Sequence, residues 1–249
     1  MIELQTEHFA GIEALHAFPA GKGAEPLPCV VFYHGFASSK LVYSYFAVAL
    51  AQAGFRVVMP DAPEHGARFS GNVERRLHQF WQILRGNLEE FAALRDALLA
   101  RELIDKQRLA VGGASMGGMT ALGIMTRHAE VRCVASLMGS GYFTSLAPRL
   151  FPPLTVTNPQ QQREFDAIIA PLAEWEVSTQ LARVADRPLL LWHGEEDDVV
   201  PAAESLRLQQ ALQAQGLDAQ LTWQWEAGVK HRITPQALSA TTDFFSRYL

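Results

Sequence analysis

The chain has 249 residues, 49% of them apolar and 19% charged, a composition too apolar for a disordered segment. It is long enough for one α/β domain that needs neither disulfide nor metal to stay folded. The formal charge of −5 comes without a basic block, which argues against a nucleic-acid footprint and against polybasic docking to a membrane. No apolar run approaches the roughly 18 residues of a spanning helix. The opening residues Met1 to Gln5 lack the basic and apolar stretches of a secretory signal, so a cytoplasmic protein is expected. Cys29 and Cys133 each sit in a short apolar run, as buried thiols in strands do.

Residues 28–33 are an apolar run ending at His34-Gly35 and predict a buried strand. A helix follows to about residue 53, stopped by Gly54. Residues 55–60 are the next strand, and a loop with Asp61, Pro63, His65 and Gly66 comes after it. From 74 to about 103, Leu77, Trp81, Leu84, Leu88, Phe91 and Leu98 mark one face of a long helix. Residues 108–112 predict a third strand, 116–128 a helix and 131–137 a fourth strand. Residues 189–192 predict a fifth strand, 202–215 a helix and 219–225 a sixth strand. Thr234-Pro235 opens a last helix that carries Leu238, Phe245 and Tyr248. This alternation implies a mainly parallel sheet with helices on both faces. Residues 140–180 break it: they hold Pro148, Pro152, Pro153, Pro159 and Pro171 and no strand pattern. An insertion of that length predicts a small proline-rich cap on a single domain.

The sharpest feature is Gly113-Ala114-Ser115-Met116-Gly117, a G-x-S-x-G. The pattern alone is weak, but here a strand precedes it and a helix follows. A strand-to-helix elbow exposes a serine hydroxyl and needs small residues two positions to either side. The helix N-terminus behind it offers free N–H groups to a developing oxyanion. A serine hydroxyl is a poor nucleophile until a base removes its proton, so a histidine and an orienting acid are required. The expected chain order is Ser, acid, His. After the strand at 189–192 stands His193-Gly194-Glu195-Glu196-Asp197-Asp198. Four consecutive acids also suit a solvated loop, and they lack the alternation of a calcium loop. After the strand at 219–225 comes His231. Ser115, Asp197 and His231 thus each follow a predicted strand, where sites sit in open α/β sheets.

Tyr33-His34-Gly35-Phe36 follows the strand expected to supply a second oxyanion donor. The backbone N–H groups of Phe36 and Met116 would form the hole, and Gly35 lets the chain turn close to substrate. His34 reads as a packing histidine; Asp61 and His65 read as turn residues near the rim.

Together His34-Gly35-Phe36, Pro60-Asp61…His65-Gly66, the elbow, His193-Gly194…Asp197…Val200-Pro201 and His231 resemble the α/β-hydrolases of the dienelactone-hydrolase and prolyl-oligopeptidase-like group. The resemblance runs from about residue 28 to 231. It implies the α/β-hydrolase fold, with Asp197 rather than Asp198 as the acid. Dienelactone hydrolases carry a cysteine nucleophile, so Ser115 points to a carboxylesterase. Prolyl-oligopeptidase relatives usually add an N-terminal propeller, for which this chain has no room before its first motif.

The expected activity is hydrolysis of a small-molecule carboxylic ester through an acyl-enzyme on Ser115. Phe143, Phe151 and Trp175 are candidates to wall a small pocket for acyl chains of about two to six carbons. The chemistry requires no metal and no organic cofactor. A peptidase or amidase for short substrates, or a non-catalytic binding module on the same fold, are the alternatives. Oligomeric state is not readable from the residues.

Overall fold

A computed structural model describes residues 1–249. The chain opens with a hairpin, β1 (Ile2–Phe9) and β2 (Ile12–Pro19), which the sequence pattern did not predict. Phe9 pairs with Ile12, so Ala10 and Gly11 form the turn, both with positive φ (51° and 78°). Such turns match the right-handed twist of the flanking strands. β1 is an edge strand with five of its eight residues exposed, so it lacks the apolar rhythm by which half-buried strands are recognised.

Then come β3 (Leu27–Tyr33), α1 (Ser44–Gln52), β4 (Arg56–Pro60), α2 (Val73–His78), α3 (Phe80–Ala100), β5 (Ile104–Ala114) and α4 (Met116–Arg127). They are followed by β6 (Cys133–Leu137), α5 (Phe143–Leu146), α6 (Pro159–Ile169), α7 (Leu181–Ala185), β7 (Leu189–Gly194), α8 (Ala203–Ala214), β8 (Leu221–Glu226) and α9 (Pro235–Tyr248). All eight strands form one sheet in the order β1-β2-β4-β3-β5-β6-β7-β8. β2 runs antiparallel to both β1 and β4; the other pairs are parallel. This is the α/β-hydrolase fold.

Each central strand is buried on both faces. In β5, Leu109 and Val111 point to the layer containing α3 and α4, and Ala110 and Ala114 to the layer containing α1 and α9. Cys29 and Cys133 are buried and unpaired, and burial pushes both thiols up to about 12. No helix is long and apolar enough to cross a membrane.

Two expectations need correction. The long helix at 74–103 is two helices broken at Gln79, and Leu77, expected on the buried face, is 43% exposed in α2. The segment at 140–180, expected as a small proline-rich cap, is packed into the domain. Phe143, Leu146, Phe165, Leu172 and Trp175 join the core shared by α3 and α4. The indole N–H of Trp81 donates to Leu150 O (3.1 Å), and Thr126 Oγ to Trp175 O (3.3 Å). Two of its prolines start helical turns: Pro159 opens α6 behind the cap Asn158, and Pro171 a 3-10 turn at Ala170–Trp175. Proline is suited there because its missing N–H has no intrahelical acceptor.

Candidate active site

β5 ends in the elbow. Ser115 has φ 58° and ψ −121°, a conformation that costs an L-residue on the order of 1–3 kcal/mol. It is held by its own N–H, which donates to Leu137 O (2.8 Å), and by its carbonyl, which receives Met119 N–H (3.0 Å). The flanking glycines are a steric requirement: a Cβ on Gly113 would overlap the Gly117 carbonyl, and one on Gly117 that of Tyr33.

The structure brings Ser115, His231 and Asp197 together from three loops at the carboxyl ends of β5, β8 and β7. Ser115 Oγ lies 2.8 Å from His231 Nε2, and His231 Nδ1 lies 2.7 Å from Asp197 Oδ2. With Nδ1–H donating to the carboxylate, Nε2 is left free to accept the serine proton. The Asp197 side chain is fully buried. Its Oδ1 accepts the N–H groups of Val199 and Val200, both at 2.9 Å. Burial raises its pKa, but hydrogen bonds from His193, His231 and Val199 N–H outweigh this and hold the carboxyl well below the usual range. Asp198 is exposed and pairs with Lys230 (3.1 Å).

His193 went unremarked in the sequence beyond its place in the motif. It is fully buried, with Nδ1 2.8 Å from Ser205 Oγ and Nε2 2.9 Å from Val200 O and 3.2 Å from Asp197 Oδ2. A histidine at the end of a fully buried strand, four residues before the acid, was the available signal.

The second oxyanion candidate depends on a braced loop. Met116 N–H opens α4 and has no acceptor within the helix; Phe36 N–H lies on the loop after β3. The next residue, Ala37, has φ 58°, and its N–H donates to His65 Nε2 (2.9 Å). His65 Nδ1–H in turn donates to Pro63 O (2.8 Å). His34 is used the same way: Nδ1–H donates to Gly35 O (2.8 Å) and Nε2 accepts Ala62 N–H (3.0 Å). Both rings need a neutral tautomer to keep these bonds. Burial moves them in that direction, His34 to about 4 and His65 below its ordinary value.

Asp61 is fully buried and accepts the Lys40 and Ala67 N–H groups, both at 3.0 Å, together with Lys40 Nζ. Burial raises its pKa, and the Lys40 ammonium and these N–H groups more than reverse that. His34, His65 and Asp61 are therefore structural, as expected, but what they hold is the Phe36 loop. That loop passes close to the nucleophile at Gly35. A Cβ there would stand 3.4 Å from Ser115 Cβ and 2.9 Å from Tyr43 Oη, so the phenol of Tyr43 borders the site.

Of the three expected pocket residues, one lies beside the site. The Phe151 ring centroid is 5.0 Å from those of both Phe36 and Phe80. Phe143 is wholly buried, against Gly123 of α4, and Trp175 packs on Arg127 and His128 at the far end of that helix. At 1.5 Å per residue those places are roughly 12 and 18 Å along α4 from Ser115, so Phe143 and Trp175 are core residues.

A family model, the prolyl oligopeptidase family, matches residues 42–249. The chain is 63% identical over 249 residues to the esterase YjfP of Escherichia coli, each chain covered in full. It is 29% identical over 255 residues to the putative esterase YitV of Bacillus subtilis, again at full coverage of both. Among solved structures, TT1662 of Thermus thermophilus superposes with a TM-score of 0.77 at 23% identity, over 99% of this chain and 98% of that one. The chain belongs to the prolyl oligopeptidase family and is a serine hydrolase.

Proposed function

We propose that the protein hydrolyses small carboxylic esters through an acyl-enzyme on Ser115. The observation that carries this is the bridging of Ser115 Oγ and Asp197 Oδ2 by His231, at 2.8 and 2.7 Å. Ser115 Oγ attacks the ester carbonyl while His231 Nε2 takes its proton. Charge collects on the carbonyl oxygen, where Phe36 and Met116 N–H groups receive it. His231 then returns the proton to the leaving alkoxide. Water, deprotonated by the same imidazole, releases the acid and restores the serine. Asp197 keeps the Nδ1–H tautomer and balances the imidazolium in each half of the cycle. The names of the two full-length relatives support an ester as substrate.

The acyl group would lie against Phe36 and Phe151, a close aromatic wall backed by the buried Phe80 that favours short chains. An amide reading has one point in its favour, the family itself. A matched series of acyl esters with one amide decides between them, with Ser115→Ala as the blank. Turnover should be fastest for esters of about two to six acyl carbons. An amide hydrolysed faster than its matched ester would overturn the ester reading, and a sixteen-carbon ester outrunning a four-carbon one would overturn the short-chain reading.

A further inference from the structure

β7 is buried along its whole length. Leu189 and Leu191 join the core on the α3–α4 side, and Leu190 and Trp192 the core on the α1–α9 side. Alternation therefore puts position 193 on the α3–α4 side, where another leucine would extend the pattern. The chain has His193 there, fully buried. A buried imidazole needs partners for both nitrogens, and its neighbours decide which one carries the proton. Nε2 faces two acceptors, Val200 O at 2.9 Å and Asp197 Oδ2 at 3.2 Å, so the proton is on Nε2. Nδ1 is then the acceptor, and the Ser205 hydroxyl, 2.8 Å away, donates to it in preference to Gly139 O at 3.2 Å. A neutral ring satisfies both nitrogens.

The other charged groups around this ring are engaged elsewhere. Glu204, beside Ser205 in α8, accepts the Ser140 hydroxyl (2.9 Å), and Glu226 of β8 accepts that of Thr234 (2.8 Å). Asp198 and Lys230 pair with each other at the surface, and Glu195 and Glu196 are exposed. Trp225 of β8 packs against the ring, with centroids 6.5 Å apart. The bond from His193 completes the set of donors on the acid. A carboxylate has about four lone-pair positions. Val199 and Val200 N–H groups occupy those of Oδ1, and His231 and His193 those of Oδ2. A carboxylate so occupied is a weak base. A proton delivered to His231 therefore stays on the imidazole, while part of the negative charge that would hold it there is drawn toward His193.

We propose that His193 is a positioning residue for the hydrolysis: its Nε2–H, fixed by Ser205, orients Asp197 and limits the pull of the carboxylate on His231. The base is then free at a lower pH than Asp197 alone would allow. This rests on the reading of Asp197 and His231 as acid and base. His193 touches neither Ser115 nor the reacting carbonyl in this arrangement and acts only through the acid. Ser205 acts one step further out, because a hydrogen bond received at Nδ1 polarises the ring and strengthens donation from Nε2.

The pH dependence of kcat/KM for one short ester, measured on the full chain with a melt of each variant, tests this. His193→Leu removes the donor and keeps a side chain of similar size. Its acid limb should move up by about 0.5–1 pH unit, because a less compensated Asp197 stabilises the imidazolium of His231. Its plateau kcat should fall about tenfold, as for the loss of one hydrogen bond to a charged group, with KM little changed. His193→Gln sets an amide N–H in place of Nε2–H and should return the limb to the wild-type position. Ser205→Ala should move the limb in the same direction as His193→Leu, by less; if His193→Leu fails to fold, this variant decides. A limb unmoved in the variants that fold, or moved equally by His193→Leu and His193→Gln, overturns the proposal and leaves His193 a packing residue. Failure of the underlying reading looks different: Ser115→Ala or Asp197→Asn would then keep its turnover, whatever the His193 variants do.

Discussion

His193 Nε2 stands 3.2 Å from Oδ2 of Asp197, the same oxygen that receives His231. One carboxylate oxygen thus serves two imidazoles, while Oδ1 is saturated by two backbone N–H groups. Asp198, one residue on, is exposed and pairs with the Lys230 ammonium. The neighbours are therefore separable by mutation. Asp197→Asn removes the charge that fixes the His231 tautomer, and turnover should fall by about 10⁴-fold, as in serine proteases. Asp198→Asn should keep most of its activity. Ester turnover of the two variants checks this, and the opposite order would move the acid to Asp198.

A second prediction concerns His65, which touches neither Ser115 nor His231 in the bonding described and acts through Ala37. His65→Leu leaves Ala37 N–H without its acceptor and frees the loop that carries Phe36. Loss of a single oxyanion donor costs on the order of 10²–10³ in turnover, and a donor displaced rather than deleted should cost up to about 10². The loss should fall on kcat, with KM little changed, because the oxyanion exists only in the transition state. Binding of a trifluoromethyl ketone, which forms that oxyanion on the enzyme, should weaken in parallel. A change confined to KM would show that His65 shapes substrate binding instead.

The parts of this molecule legible in the sequence were those with strong local signals. β3, β5 and β7 are apolar runs buried on both faces, and the elbow carries its own glycine spacing. Ser115 and Asp197 could be placed because each follows such a strand, and His231 because it follows the alternating run that forms β8. What escaped depended on contacts distant in the chain. β1 is exposed on an edge and has no apolar rhythm. Phe143 and Trp175 have the same local signature as Phe151, and only the packing of residues 140–180 along α4 separates them. The bond from Ala37 to His65 spans 28 residues, and no periodicity reports it.

The Asp61–Lys40 pair makes a pH-dependent prediction. Both side chains are buried, and Glu13 Oε1 also lies 2.7 Å from Lys40 Nζ. Asp61 has a folded pKa below its unfolded value of about 3.9, so its stabilisation is present above about pH 4 and is lost as pH falls through the folded value. Lys40 is raised, so its share holds below about pH 10 and is lost at higher pH. Asp61→Asn leaves a buried ammonium partly uncompensated and should cost about 3 kcal/mol at pH 7. The gap from wild type should narrow as pH falls below about 4, where the wild-type carboxylate is also being protonated. Urea melts at neutral and acid pH measure this; a gap that stays constant would mean that Asp61 acts by shape and not by charge.

The last prediction separates the pocket from the core. Phe151 stacks on Phe80 and packs against Phe36, whose backbone N–H is an oxyanion candidate, so truncating it opens space next to the acyl group. Phe151→Ala should shift the acyl-length optimum toward longer chains and lower turnover of the shortest esters, which lose their wall. Trp175 lies on Arg127 and His128 at the end of α4 remote from Ser115, and Thr126 Oγ donates to its carbonyl. Trp175→Ala should therefore leave the acyl-length profile unchanged and reduce stability by about 3–5 kcal/mol, the usual cost of removing a large buried ring. Phe143→Ala should behave like Trp175→Ala, since its ring is fully enclosed beside Gly123. Initial rates over a graded ester series, taken with denaturant melts of the same three variants, distinguish the two roles. A changed chain-length profile in Trp175→Ala, with Phe151→Ala indifferent, would relocate the acyl pocket to the far end of α4.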